Sequence, residues 1–95
     1  MKGGVRRFKD RLKEDMKNPE FRKAFEEEEV FVSLAIQIAE IRQKKKLTQK
    51  QLARKLRTTQ QNVSRLEDIQ NRSYSLETLV KIADAFDKRL KIKFV

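Results

Sequence analysis

The sequence predicts an all-α domain with an N-terminal helical arm and one C-terminal β-strand. Three observations point there. Apolar residues recur at helical spacing through most of the chain, and helix-capping side chains stand at the head of successive apolar segments. Only residues 89–95 switch to strict alternation. A length of 95 residues suits one domain plus an arm.

The elements follow in order. Val5, Phe8, Leu12 and Met16 are spaced 3, 4 and 4, one stripe of an amphipathic helix. Asn18-Pro19-Glu20 reads as a second helix start: Asn18 caps, Pro19 takes the first turn and Glu20 suits the positive end of the dipole. Phe21 and Phe25 share one face of that helix, and Glu26 to Glu29 form an acidic run behind them. Residues 30–41 are apolar at nine of twelve positions, with Leu34, Ile38 and Ile41 on one face and Val32, Ile36 and Ala39 on another. A helix apolar on two faces is expected to be covered on two sides.

Thr48 caps the next helix, in which Leu52, Ala53 and Leu56 point inward; Val63 and Leu66 are the inward positions of the one after. Ser75 caps another, with Glu77 in its first turn and Leu76, Leu79, Ile82, Ala83 and Phe86 as its buried set. Asp68 to Tyr74 has no helical period and reads as a loop. At the end, Leu90, Ile92 and Phe94 alternate with Arg89, Lys91 and Lys93 as a strand does. A lone strand leaves its edges unpaired, so pairing with a second copy across a dimer is expected. Pairing with another protein and docking on its own helices are the alternatives. The chain thus divides into an arm (1–29), a helical domain (30–88) and a terminal strand (89–95).

Charge narrows the partner. The net charge of +10 is uneven: residues 1–30 hold nine basic and eight acidic groups, residues 31–95 fifteen and six. A basic half of this kind favours a polyanion, and nucleic acid is the first candidate. There is no Cys and no His, so thiol chemistry, disulfides and the usual zinc ligands are absent, and neither a cofactor nor a catalytic centre is expected. No apolar run approaches the roughly 20 residues of a membrane span, and no signal-peptide core follows the N-terminus. A cytoplasmic location is expected.

The basic charge is densest between Ile41 and Leu66, where nine Lys and Arg residues stand without one acid. Within that stretch lie Leu47-Thr48-Gln49-Lys50-Gln51-Leu52-Ala53 and Thr58-Thr59-Gln60-Gln61-Asn62-Val63-Ser64-Arg65-Leu66-Glu67. Two short helices joined by a turn would bring amides, hydroxyls and an arginine to one exposed surface. Gln pairs bidentately with adenine and Arg with guanine, and backbone or lysine donors hold phosphates.

Together with Ser75-Leu76-Glu77-Thr78-Leu79 and Ile82-Ala83, this block resembles the Cro/cI-repressor (Xre) type of helix-turn-helix domain over Leu34 to Phe86. The resemblance implies that Thr59, Gln60, Gln61, Asn62, Ser64 and Arg65 meet DNA from a recognition helix. It further implies that Gln49 anchors phosphate at a helix N-terminus, that Arg72 lies in a loop that grips phosphate, and that Arg42 and Glu67 form a structural ion pair; the charge of Lys50 adds an expected phosphate contact. Three positions depart from the family pattern: Arg57 stands where the turn often has Gly, Glu67-Asp68-Ile69 where Glu-x-Gly is frequent, and Tyr74 where Pro often precedes the Ser cap.

Outside the motif, Phe8-Lys9-Asp10, Leu12-Lys13, Lys17-Asn18-Pro19-Glu20-Phe21-Arg22-Lys23 and the terminal Lys88 to Val95 are similar to HigA-type antitoxins. Those proteins repress their own operon as dimers on double-stranded operator DNA and neutralise a RelE-like ribonuclease toxin of HigB type. With a toxin as partner, the apolar anchors Val5, Phe8, Leu12, Met16, Phe21 and Phe25 are expected to contact it, packing on their own domain being the alternative, and Leu90, Ile92 and Phe94 are expected at the homodimer contact. The alternative is a free-standing Xre-type repressor with no toxin partner.

Overall fold

The computed structural model describes residues 13–95, so Val5, Phe8 and Leu12 lie outside the described residues. The described residues fall into two compact units that divide between Val30 and Phe31. Four helices are named here: α1 (Pro19–Lys44), α2 (Gln49–Leu56), α3 (Gln60–Leu66) and α4 (Leu76–Ala85).

The 26-residue α1 joins two segments that the sequence pattern treats separately, the one beginning at Asn18 and the apolar run 30–41. No Gly, no second Pro and no turn signal stands between Pro19 and Lys44, so nothing interrupts the hydrogen-bond ladder. Asn18 starts it: its side-chain oxygen accepts from the backbone N–H of Glu20 at 2.9 Å. Of the two apolar faces read in 30–41, one is buried through Ala35 and Ile38, whereas Ile36 on the other is 43% exposed.

The second unit has one core. Ile38 of α1, Leu52 and Ala53 of α2, Val63 and Leu66 of α3, and Ile82 and Phe86 at the end of α4 form a contiguous buried cluster. Leu34, Ile41, Leu47, Leu56, Tyr74 and Leu79 pack around it. Leu76, expected in this set, is exposed: as the first residue of α4 it stands a turn ahead of the buried face that Ile82 and Phe86 define.

Three helices end in the same way. Lys46, Arg57 and Asp87 adopt φ of 56°, 55° and 55°, and the residue after each donates back into the last turn: Leu47 to Arg42, Thr58 to Ala53, Lys88 to Ala83. This is the C-terminal motif that glycine usually serves. The sequence has two glycines, Gly3 and Gly4, so the domain makes all three left-handed caps with side chains that carry a steric cost there.

The C-terminal strand is not present: no strand occurs among the described residues, and 88–95 carries no regular structure. The alternation is real, but a strand also needs a second backbone for its ladder, and none of the described residues supplies one. Leu90 lines a groove of about 330 Å³ with Leu34, Ile38, Leu79, Ile82 and Phe86. Ile92 and Phe94 remain 60% and 97% exposed.

Candidate nucleic-acid interface

Local chemistry fixes the two helices of the motif. The Thr48 hydroxyl accepts from the Gln51 N–H at 3.0 Å while the Gln51 side chain accepts from the Thr48 N–H at 2.8 Å, a reciprocal capping box. Arg57 then closes α2, and its φ of 55° turns the chain within three residues into α3. Thr59 caps α3 by accepting from the Asn62 N–H at 3.1 Å. Its hydroxyl is thereby committed to the helix end, although the residue itself is exposed.

Val63 and Leu66 anchor α3 in the core, and the opposite face is set by that choice. Gln60 and Ser64 lie on one row, Gln61 and Arg65 on the next, and all four are exposed. This is a surface of two amides, one hydroxyl and one guanidinium with no acid among them. Lys50 is exposed in the first turn of α2, where backbone N–H groups and the helix dipole also favour an anion.

Behind this surface a part-buried network ties three helices together. Arg42 donates through Nε to Glu67 Oε2 at 2.7 Å and through Nη2 to Oε1 at 3.1 Å, a bidentate pair with side chains only 13% and 7% exposed. Its Nη1 donates to the Leu47 carbonyl at 2.8 Å, closing the end of α1. Gln49 Nε2 donates to Glu67 Oε1 at 3.2 Å. Gln49 is therefore half-buried and oriented by the same carboxylate that orients Arg42. Glu67 thus fixes the end of α3 against the start of α2.

Asn62 differs from its neighbours. Its Nδ2 donates to Thr58 Oγ1 at 3.0 Å, and its Oδ1 accepts from Arg65 Nη2 at 2.8 Å. The amide is engaged at both ends within the protein. Arg72 also folds onto protein: Nη1 donates to the Ile69 and Asn71 carbonyls at 2.8 and 3.2 Å, and its guanidinium lies 5.3 Å from the Phe31 ring centroid.

Tyr74 was legible in the sequence only as a departure from Pro. Its hydroxyl donates to the Leu66 carbonyl at 2.6 Å, satisfying one of the open carbonyls at the end of α3, and its ring stacks on Phe31 at 6.4 Å. Proline could do neither.

In the arm, Phe21 and Phe25 stack on each other at 6.3 Å and are each 37% exposed, while Met16 is half-buried. No helix among the described residues is long and apolar enough to cross a membrane.

A capped helix, a tight turn and a second helix anchored by Val63 and Leu66, with a basic, acid-free face, define a DNA-binding helix-turn-helix regulator of Xre-like class. A family model described as a helix-turn-helix domain matches residues 19–94, and the chain belongs to that family. No curated protein and no solved structure gives a match.

Proposed function

We propose that this regulator is a HigA-type antitoxin: it represses its own operon by binding operator DNA as a dimer, and it neutralises a RelE-like ribonuclease. It works as a binding module and not as an enzyme. The observation that carries the DNA half is the exposed row Gln60, Gln61, Ser64 and Arg65 on α3. The amides match adenine edges and the guanidinium a guanine, while Gln49, Lys50 and Arg72 serve phosphates. Two copies related by a twofold axis would set their recognition helices about 34 Å apart, or a multiple of it, on a palindromic site.

The toxin half rests on the stacked, exposed Phe21 and Phe25 and on the four glutamates after them. Val5, Phe8, Leu12 and Met16 continue the apolar pattern in the sequence. An apolar helix face fits a partner's groove. An acidic run suits the basic surface an RNA-cleaving protein needs, and it speeds association more than it tightens the final complex. The dimer uses the terminal segment: Leu90, Ile92 and Phe94 alternate with no paired backbone among the described residues, and another copy supplies the edge.

The test is co-expression with the product of the neighbouring reading frame. Deleting residues 1–29, or changing Phe21 and Phe25 to Ala in the full chain, is expected to abolish toxin inhibition and leave operator binding intact. Full inhibition by both variants would move the toxin surface off the arm. A native operon without a small ribonuclease would make the protein a free-standing repressor.

A further inference from the structure

The hydrogen bonds around Asn62 point to a division of labour on the recognition helix that the exposed row alone does not show. We infer that Asn62 is a positioning residue: it reads no base itself but holds the Arg65 guanidinium, through the Thr58–Asn62–Arg65 chain, so that Arg65 presents a fixed edge to guanine. The inference rests on the DNA-reading proposed above and names how one base pair is selected.

The geometry carries it in three steps. First, an adenine edge needs the oxygen and nitrogen of an Asn amide side by side and facing outward. In Asn62 the nitrogen donates to Thr58 Oγ1 at 3.0 Å and the oxygen accepts from Arg65 at 2.8 Å, so both atoms are turned to protein partners. Asn62 is also half-buried, whereas Gln60, Gln61, Ser64 and Arg65 are exposed. Second, a guanidinium has five N–H donors. Nη2 carries two hydrogens, one on each of its flanking edges. Donating one to Asn62 uses one edge and leaves the other whole, and a single parallel pair is what guanine O6 and N7 accept. Third, a long side chain loses rotamer freedom when it is ordered at an interface. Arg65 makes its orienting bond in the unbound protein, so part of that ordering precedes binding. Thr58 is itself fixed, because its N–H donates to the Ala53 carbonyl at 2.9 Å in the cap of α2. The chain therefore runs from the turn to the reading side chain.

The experiment uses the full-length protein and duplexes it selects from a randomised library. Arg65→Ala is expected to lose about tenfold in preference at one base pair per half-site, the order contributed by a bidentate arginine–guanine contact. Asn62→Ala should lose preference at that same base pair, keep it at the positions read by Gln60 and Gln61, and add nothing to Arg65→Ala in the double variant. Asn62→Asp keeps an acceptor for Arg65 and adds a negative charge. It should retain the base preference and weaken all duplexes alike. Side-chain NMR of the Arg65 Nε–H in the unbound protein supplies a readout independent of DNA, expected to be restricted in the wild type and mobile in Asn62→Ala. Loss at a different base pair from Arg65→Ala, or additivity in the double variant, would make Asn62 a base reader and overturn the positioning role. An Arg65 equally mobile with and without the Asn62 amide would overturn it too. A wild-type protein that selects no sequence would instead remove the base-reading on which it stands.

Discussion

The turn region, residues 42–67, and the terminal segment, residues 88–95, are both rich in basic residues, yet they meet opposite structural fates. In the first, three helix ends are closed by residues a few positions away, Thr48 by Gln51, Thr59 by the Asn62 N–H and Arg57 by its own left-handed backbone, and Tyr74 closes the end of α3. In the second, Leu90, Ile92 and Phe94 alternate as in a strand, yet no backbone pairs with them among the described residues. Local caps set where a short helix begins and ends, and the core shared with Ile38, Ile82 and Phe86 holds it there; a strand has no such local closure and depends on a second backbone.

The comparison can be broken at the network that locks the turn region. Glu67→Ala would leave the Arg42 guanidinium part-buried without its carboxylate and release Gln49, and should cost about 3–5 kcal/mol in chemical denaturation. A loss under about 1 kcal/mol would mean that water replaces the carboxylate without strain. Arg42→Met with Glu67→Leu, which removes both charges, should restore part of the stability but not the orientation of Gln49.

A smaller effect sits at Tyr74. Tyr74→Phe keeps the stack on Phe31 and deletes the bond to the Leu66 carbonyl, and should lower stability by about 1 kcal/mol. Hydrogen exchange should then speed up at the end of α3 more than in α2. The smallest expected change has the opposite sign. Arg57→Gly relieves a left-handed cost of roughly 1–2 kcal/mol and adds unfolded-state entropy of about 0.4–1 kcal/mol, for a net gain of about 0.5–1 kcal/mol. Binding to every duplex should weaken slightly with the lost charge. A destabilised Arg57→Gly would show that the arginine side chain holds the turn by a contact of its own.

The same contrast explains how much the sequence makes legible. The caps at Asn18, Thr48 and Ser75, the inward Leu52, Val63 and Leu66, and the outward Gln60 and Gln61 follow from spacing and side-chain chemistry alone, because each depends on neighbours within one or two turns. The continuity of α1 through residue 30 was hidden by a change of composition with no breaker behind it. Leu76 looks like core by type but falls on the first turn of α4, off the buried face. The internal engagement of Asn62 and the Tyr74 bond to Leu66 depend on rotamers and on a loop path, which periodicity does not encode. Alternation at 89–95 suits a half-buried strand, but pairing also needs a second backbone, which no spacing within the segment encodes.

Base reading by the outward row of α3 is open to a direct test with Gln61→Ala. Affinity of the full-length protein and the variant would be measured at one fixed salt concentration for the selected operator and for a random duplex of equal length. Gln61→Ala should lose about 1–3 kcal/mol on the operator, confined to one position in each half-site, with random-duplex affinity unchanged. An equal loss on both duplexes would mean that Gln61 touches only backbone, and would contradict base reading.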